Sequence, residues 1–144
     1  MPEAETILQG GCLCGAIRYR ITGPVRFVSQ CACRDCQKAT GTGHTTILGV
    51  DGADLAVTGT PSVYTSRGQT GGKVSRHFCP TCAGRLYTTG DHPGRIVIVQ
   101  AGSLDDPNAV YPENVIYAGD APVWDFFDPA LPRFEGMVKR DFGR

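Results

Sequence analysis

Arg76-His77-Phe78-Cys79-Pro80-Thr81-Cys82, residues 76–82, decides how this chain is read. A strand-like run enters a Cys-x-x-Cys in which Pro80 and Thr81 form a tight turn, the form of a zinc knuckle with two converging thiolates. The pair is half of a closed tetrahedral site, which needs four ligands. The other half stands far upstream, in Gly11-Cys12-Leu13-Cys14-Gly15. In an extended chain Cys12 and Cys14 point to one face, and the flanking glycines let backbone approach a metal closely. A metal shared by Cys12, Cys14, Cys79 and Cys82 closes a loop of 65 positions, counted from Cys14 to Cys79. It would staple the N-terminal part of the chain to its middle.

Three cysteines remain, in Cys31-Ala32-Cys33-Arg34-Asp35-Cys36. Three ligands leave one position open, the usual arrangement of a catalytic zinc. Three thiolates around Zn²⁺ carry a net charge of −1. Soft sulfur donors select zinc over magnesium or calcium. They also weaken the metal as a Lewis acid, which suits it poorly to making hydroxide at neutral pH. They suit it to holding a substrate thiolate. Two other readings of the trio stay open: a structural Cys₃His site closed by His44, eight positions after Cys36, and a redox-active thiol set.

Composition sets the bounds. The 144 residues match one domain, 1–144. Lys+Arg and Asp+Glu number 14 each, which gives no electrostatic reason to expect a nucleic-acid or membrane partner. No stretch reaches the roughly 18 apolar residues of a membrane span. The first residues, Met1-Pro2-Glu3-Ala4-Glu5-Thr6, are acidic and unlike a secretory leader, so a cytoplasmic location is expected. Thiols there stay reduced, which favours metal ligation over disulfides. Seven cysteines also cannot all pair within one chain. The competing reading is three disulfides and one free thiol, or cysteines used as small core hydrophobes.

Short strands between turns fill the rest, which predicts an all-β fold. Ile17, Tyr19 and Ile21 alternate with Arg18 and Arg20. Further strands are expected over 25–29, 45–50, 55–58, 62–66, 73–78, 85–88 and 115–117. The apolar run Ile96-Val97-Ile98-Val99 reads as a central strand. Residues 34–40 form a helical turn ended by Gly41. The Gly-rich stretch 67–72 is a mobile loop able to close over a ligand or a hairpin tip. The proline-rich tail is expected to pack as an extended segment anchored by Trp124.

The order and spacing of the seven cysteines, with Cys36-Gln37-Lys38-Ala39-Thr40-Gly41, Trp124 and Leu131-Pro132, resembles the glutathione-dependent formaldehyde-activating enzyme family, which includes centromere protein V-like members. The resemblance runs from about residue 9 to Leu131-Pro132-Arg133-Phe134. It implies an Mss4-like β-tent of small antiparallel sheets and two zinc ions per chain. By that likeness Cys12, Cys14, Cys79 and Cys82 hold the structural zinc, and Cys31, Cys33 and Cys36 the catalytic one. The implied activity is a carbon–sulfur lyase reaction interconverting S-(hydroxymethyl)glutathione with glutathione and formaldehyde. A protein-binding scaffold without catalysis and a lyase for another thiol are the rivals. One departure is plain: the family usually places glycine directly after the Cys-x-x-Cys, whereas here Ala83 precedes Gly84.

Other residues are candidates on chemistry alone. His44 is placed to take a proton from a hemithioacetal hydroxyl, or to serve as a hydrogen-bonded surface histidine. His77, two positions before Cys79, is expected on the four-cysteine side, and His92 in an exposed turn. Arg34, Lys38, Arg67, Lys73 and Arg76 are the cations available to a carboxylate.

Overall fold

The structure is a computed structural model that describes residues 7–91 and 95–138; His92 lies outside them. Among the described residues ten strands form two sheets, joined by one short α-helix and four single-turn 3-10 helices. A three-stranded sheet holds β1 (Ile7–Gly11), β2 (Arg18–Thr22) and β5 (Leu55–Thr58), all antiparallel, with β2 in the middle. The other seven strands are β3 (Phe27–Cys31), β4 (Thr45–Asp51), β6 (Ser62–Arg67), β7 (Lys73–Phe78), β8 (Arg85–Gly90), β9 (Ile96–Gln100) and β10 (Asn114–Ile116). Their order is β10-β3-β4-β9-β8-β7-β6.

The fold is all-β in class, as expected, and the run Ile96–Val99 falls in the fourth of the seven strands. Two expectations need correction. The larger sheet is not purely antiparallel, because β10 runs parallel to β3. Trp124 is no anchor: it is 62% exposed. The extended tail is held elsewhere, by the backbone bonds Val115 N–H to the Pro132 carbonyl and Phe134 N–H to the Val115 carbonyl, both 2.9 Å, and by other side chains.

Strand alternation explains why the central strands are apolar on both faces. Val28, Leu48, Val50, Val97 and Val99 pack with Tyr19 and Ile21 of the smaller sheet in one core. Phe27, Ile47, Ile96 and Ile116 point the other way, into a second core with Cys31 and Cys33. Phe134 and Val138 from the tail pack against that second core. One glycine shapes it. Gly49 is the cross-strand partner of Phe27, and any Cβ there would run into the Phe27 ring, so the ring lies flat across β4.

The two sheets meet through few direct links. Gly10 bridges Leu104, Asp105 N–H donates to the Gln9 carbonyl at 2.9 Å, and the Tyr19 hydroxyl lies 2.6 Å from that of Ser103. Arg18 pairs with Asp105 through both guanidinium nitrogens. The four-cysteine cluster is a further joint.

Candidate metal centres and cavity

Cys12 and Cys14 are not in extended chain, contrary to expectation. β1 ends at Gly11, and Gly15 N–H closes a turn onto the Cys12 carbonyl at 3.2 Å. The turn still brings both sulfurs toward the knuckle. Across the joint, Cys79 N–H donates to the Gly84 carbonyl and Ala83 N–H to the Cys79 carbonyl. Ala83 takes the left-handed φ of 62° that this turn needs, so the knuckle forms with alanine in a glycine conformation.

The four sulfurs lie within 4.8 Å of one another. The Cys12–Cys14 and Cys14–Cys79 separations are both 3.7 Å. Four sulfurs each about 2.3 Å from a central zinc would be about 3.8 Å apart, so the cluster fits a tetrahedral ion. Backbone donors already serve thiolate charge there. Ile17 N–H points at Cys12 Sγ at 3.3 Å, Cys14 N–H at Cys82 Sγ at 3.4 Å, and Thr81 N–H at Cys79 Sγ at 3.3 Å. The Cys14 and Gly84 amides bring the Cys82 thiol down to about 6.

The trio arises differently. Cys31 ends β3, and Cys33 caps the helix α1 (Arg34–Thr40), its sulfur accepting from the Cys36 N–H at 3.4 Å. Gly41, at φ 77°, ends the helix as expected. Gln37 fixes the loop from inside, donating to the carbonyls of Ala32 and Asp120 at 2.8 and 2.9 Å. The three sulfurs again lie within 4.8 Å of one another. Hydrogen bonds from Cys31 and Cys36 bring the Cys33 thiol down to about 2. The Cys31 thiol is pushed up by its bonds to Cys33 and Cys36 and by burial. For Cys36 the bond to Cys31 pulls downward, but the Cys33 contact and burial outweigh it and lift the thiol to about 12. The trio thus accommodates one thiolate comfortably and needs a cation to hold three, which is the chemistry of a metal-ligating set.

Beside the trio opens a cavity of about 510 Å³. Cys31, Cys33 and Cys36 line it, and none of the other four cysteines does. Its walls are the second core, and its rim includes Gly68, Gln69 and Thr70 from the β6–β7 turn and Met137 and Val138 from the tail. That turn is a hairpin tip closed by Gly68 N–H to the Gly72 carbonyl and Gly71 N–H to the Gly68 carbonyl. Among the described residues two arginines line the cavity, Arg76 and Arg85. Both are electrostatically felt: Arg76 pulls the Cys36 thiol downward, and Cys36 in turn favours the charge on Arg85. Burial, then Arg76, push the Arg85 guanidinium below its ordinary value.

Of the cations named from sequence, Arg76 alone lines this cavity. Arg34 bonds to Gln37 on its own helix, and Arg67 holds the Gly71 carbonyl. Sequence reading missed Arg85, although its place three residues after the knuckle was a signal.

His44 takes no part in the trio. Its Nδ1 lies 2.6 Å from Asp125 Oδ2 and its Nε2 3.3 Å from Gln30 Nε2, with the Phe127 ring at 4.8 Å. It ties the tail to the start of β4. A Cys₃His site is not formed among the described residues. His77 does not face the four cysteines either. It stacks on Tyr87 at 4.4 Å and lies 3.0 Å from Thr89 Oγ1, and the register shifts between His77 and Phe78, so the parity argument fails there. Burial lowers its pKa.

Among the described residues no helix is long and apolar enough to cross a membrane. Known proteins point in one direction. The family described as glutathione-dependent formaldehyde-activating enzyme matches residues 7–120. A Halomonas elongata protein, provisionally named as such an enzyme, is 31% identical over 124 residues, covering 82% of this chain and 79% of its own. A crystal structure of a Rhodobacter sphaeroides protein shares the fold, with TM-score 0.56 at 16% identity, over 88% of this chain and 98% of that one.

Proposed function

This chain belongs to the glutathione-dependent formaldehyde-activating enzyme family, and we propose that it is a zinc-dependent carbon–sulfur lyase joining formaldehyde to a small thiol and releasing it again. In this proposal Cys12, Cys14, Cys79 and Cys82 bind one structural zinc and Cys31, Cys33 and Cys36 bind a second at the reaction centre. Glutathione is the thiol that the family description supplies, and S-(hydroxymethyl)glutathione the corresponding adduct. One observation carries the reading: the three-sulfur cluster lines a half-open cavity that also holds two cations among the described residues, while of the four-sulfur cluster only Cys12 borders a cavity, and a separate one.

A zinc ion held by the trio supplies a soft Lewis acid whose fourth position suits a thiolate. The protein's own groups do the rest. Arg76 and Arg85 offset the anionic charge gathered at the sulfurs. Phe27, Ile47 and Ile116 wall the centre with apolar surface. Cys33, fixed as a helix cap, and Gln37, fixed by two carbonyls, hold the cluster rigid. In the forward direction the carbon–sulfur bond forms as the carbonyl π bond opens, and the thiol proton ends on the new hydroxyl oxygen. The reverse returns both, with no oxidant or reductant consumed.

A second reading, a two-zinc scaffold that binds a protein and catalyses nothing, draws on the exposed Val123, Trp124 and Phe126. Exchange NMR between formaldehyde and its thiol adducts separates the two, with metal counted in the same samples. We expect two zinc ions per wild-type chain and exchange well above the uncatalysed rate. Cys33→Ser should lose the more easily chelated ion and the acceleration together. No acceleration with any thiol leaves the scaffold standing.

A further inference from the structure

Resting on that reaction, we infer that the thiol this chain prefers has an apolar body and a single carboxylate held by Arg85, unlike the multiply charged tripeptide glutathione. Volume does not decide the matter, because about 510 Å³ falls within the roughly 300–1,000 Å³ of ordinary small-molecule sites. The lining decides it. Phe27, Ile47, Val74, Ile96, Ile98 and Ile116, from five strands, form the walls. A peptide group or ammonium laid against them gives up its bonds to water without replacement. Of the polar lining residues, Thr45 and Gln100 already bond to each other, and Gln69 and Thr70 stand at the rim.

The charged groups are few and unequal. Arg76 Nη1 donates to Ser66 Oγ at 3.0 Å. Arg85 Nη1 is buried and has no hydrogen-bond partner among the described residues. A guanidinium fork with an unused buried donor matches one carboxylate, and a buried donor without a partner is itself an unfavourable feature that such a ligand would relieve. Among the described residues Asp35 is the single acid in the lining. It neighbours Cys36 in the chain, so an ammonium bound to it would sit beside the reacting sulfur. Glutathione carries its ammonium at the far end of the γ-glutamyl arm and has two carboxylates and two peptide groups to satisfy. A short ω-mercapto acid instead places sulfur at the trio, methylenes along the walls and one carboxylate at Arg85.

The test is calorimetric titration of the zinc-loaded wild-type protein with 6-mercaptohexanoate, 6-mercaptohexan-1-ol, glutathione and sulfur-free hexanoate. We expect the mercapto acid to bind about ten- to a hundredfold more tightly than the mercapto alcohol, the span of a hydrogen bond to a charged group, and more tightly than glutathione. Hexanoate should compete with it. In Arg85→Met the acid and the alcohol should bind alike. Glutathione binding as tightly as the acid, or acid and alcohol binding alike in the wild type, would overturn the inference, whether or not Arg85→Met folds. Formaldehyde exchange in the same samples keeps the two readings apart. Exchange that is fastest with glutathione refutes this inference and leaves the lyase standing. Tight binding of the acid with no exchange for any thiol supports the pocket's preference and refutes the lyase.

Discussion

Cys14→Ala is the sharpest probe of the joint between the sheets. Cys14 is exposed, so the substitution removes a sulfur with little loss of packing. Its partner Cys79 is 65 positions away. Treated as a cross-link closing a loop of that length, the cluster removes about 4 kcal/mol of chain entropy from the unfolded state at 25 °C. A metal that binds only the folded arrangement contributes its affinity as folding energy. Against a margin of roughly 5–15 kcal/mol, a loss near 4 is large. With an m-value of about 2 kcal/mol/M it lowers the urea midpoint by about 2 M. Urea denaturation followed by circular dichroism, in zinc-containing buffer with metal counted on the same protein, reads it. A variant that loses one zinc yet keeps the wild-type midpoint would refute the clamp. A variant that gives up the ion at this joint to a chelator no more easily than wild type would refute the four-sulfur assignment.

Two further substitutions test local physics. Ala83 sits at φ 62°, which costs a non-glycine residue about 1–2 kcal/mol. Part of that is returned as unfolded-chain entropy when glycine replaces it, so Ala83→Gly should stabilise by about 0.5–1 kcal/mol and raise Tm by about 2 °C; a lower Tm in calorimetry would contradict the strain argument. Tyr19 is raised to about 12, chiefly by burial, from an ordinary 10.0. Its folded value lies above its unfolded one, so its contribution is whole below pH 10 and disappears as pH climbs from 10 to 12, a loss of about 2–3 kcal/mol. Urea midpoints at pH 9 and 11.5 should therefore fall further for wild type than for Tyr19→Phe, and equal falls would sink the assignment.

Much of the site was legible because cysteine spacing is local information. The 4.8 Å groupings follow the division into Cys12, Cys14, Cys79, Cys82 and Cys31, Cys33, Cys36. Helix α1 and its stop at Gly41 were readable for the same reason, and so was Lys73–Phe78 as a strand. What sequence hid was pairing at long range. β1 escaped notice because Gly10 and Gly11 break its alternation, although Leu8 and Gly10 face inward against β2. The cavity depends on Phe27 lying over Gly49 and on tail residues meeting β3 through β10, contacts that no short window contains. Arg85 reads as a strand-end cation until the fold places it in the lining of the cavity that Cys36 also borders. Trp124 misled because size suggests burial, whereas the tail is fastened by main-chain bonds and by Asp125, Phe134 and Val138.

The parallel strap formed by β10 and residues 132–136 sets an order of assembly. The four-cysteine joint is complete in the chain once Cys82 has emerged from the ribosome. The wall of the cavity needs Ile116, and its rim needs Val138. Backbone fastening of Val115 and Tyr117 waits on Pro132, Phe134 and Gly136. During synthesis at about 5–20 residues per second, the four-cysteine cluster is thus complete seconds before the trio has walls. The nascent chain passes through a stage with one cluster closed and the trio uncovered. In the proposed two-zinc reading, Cys31, Cys33 and Cys36 are then open to any soft metal or oxidant until the tail docks.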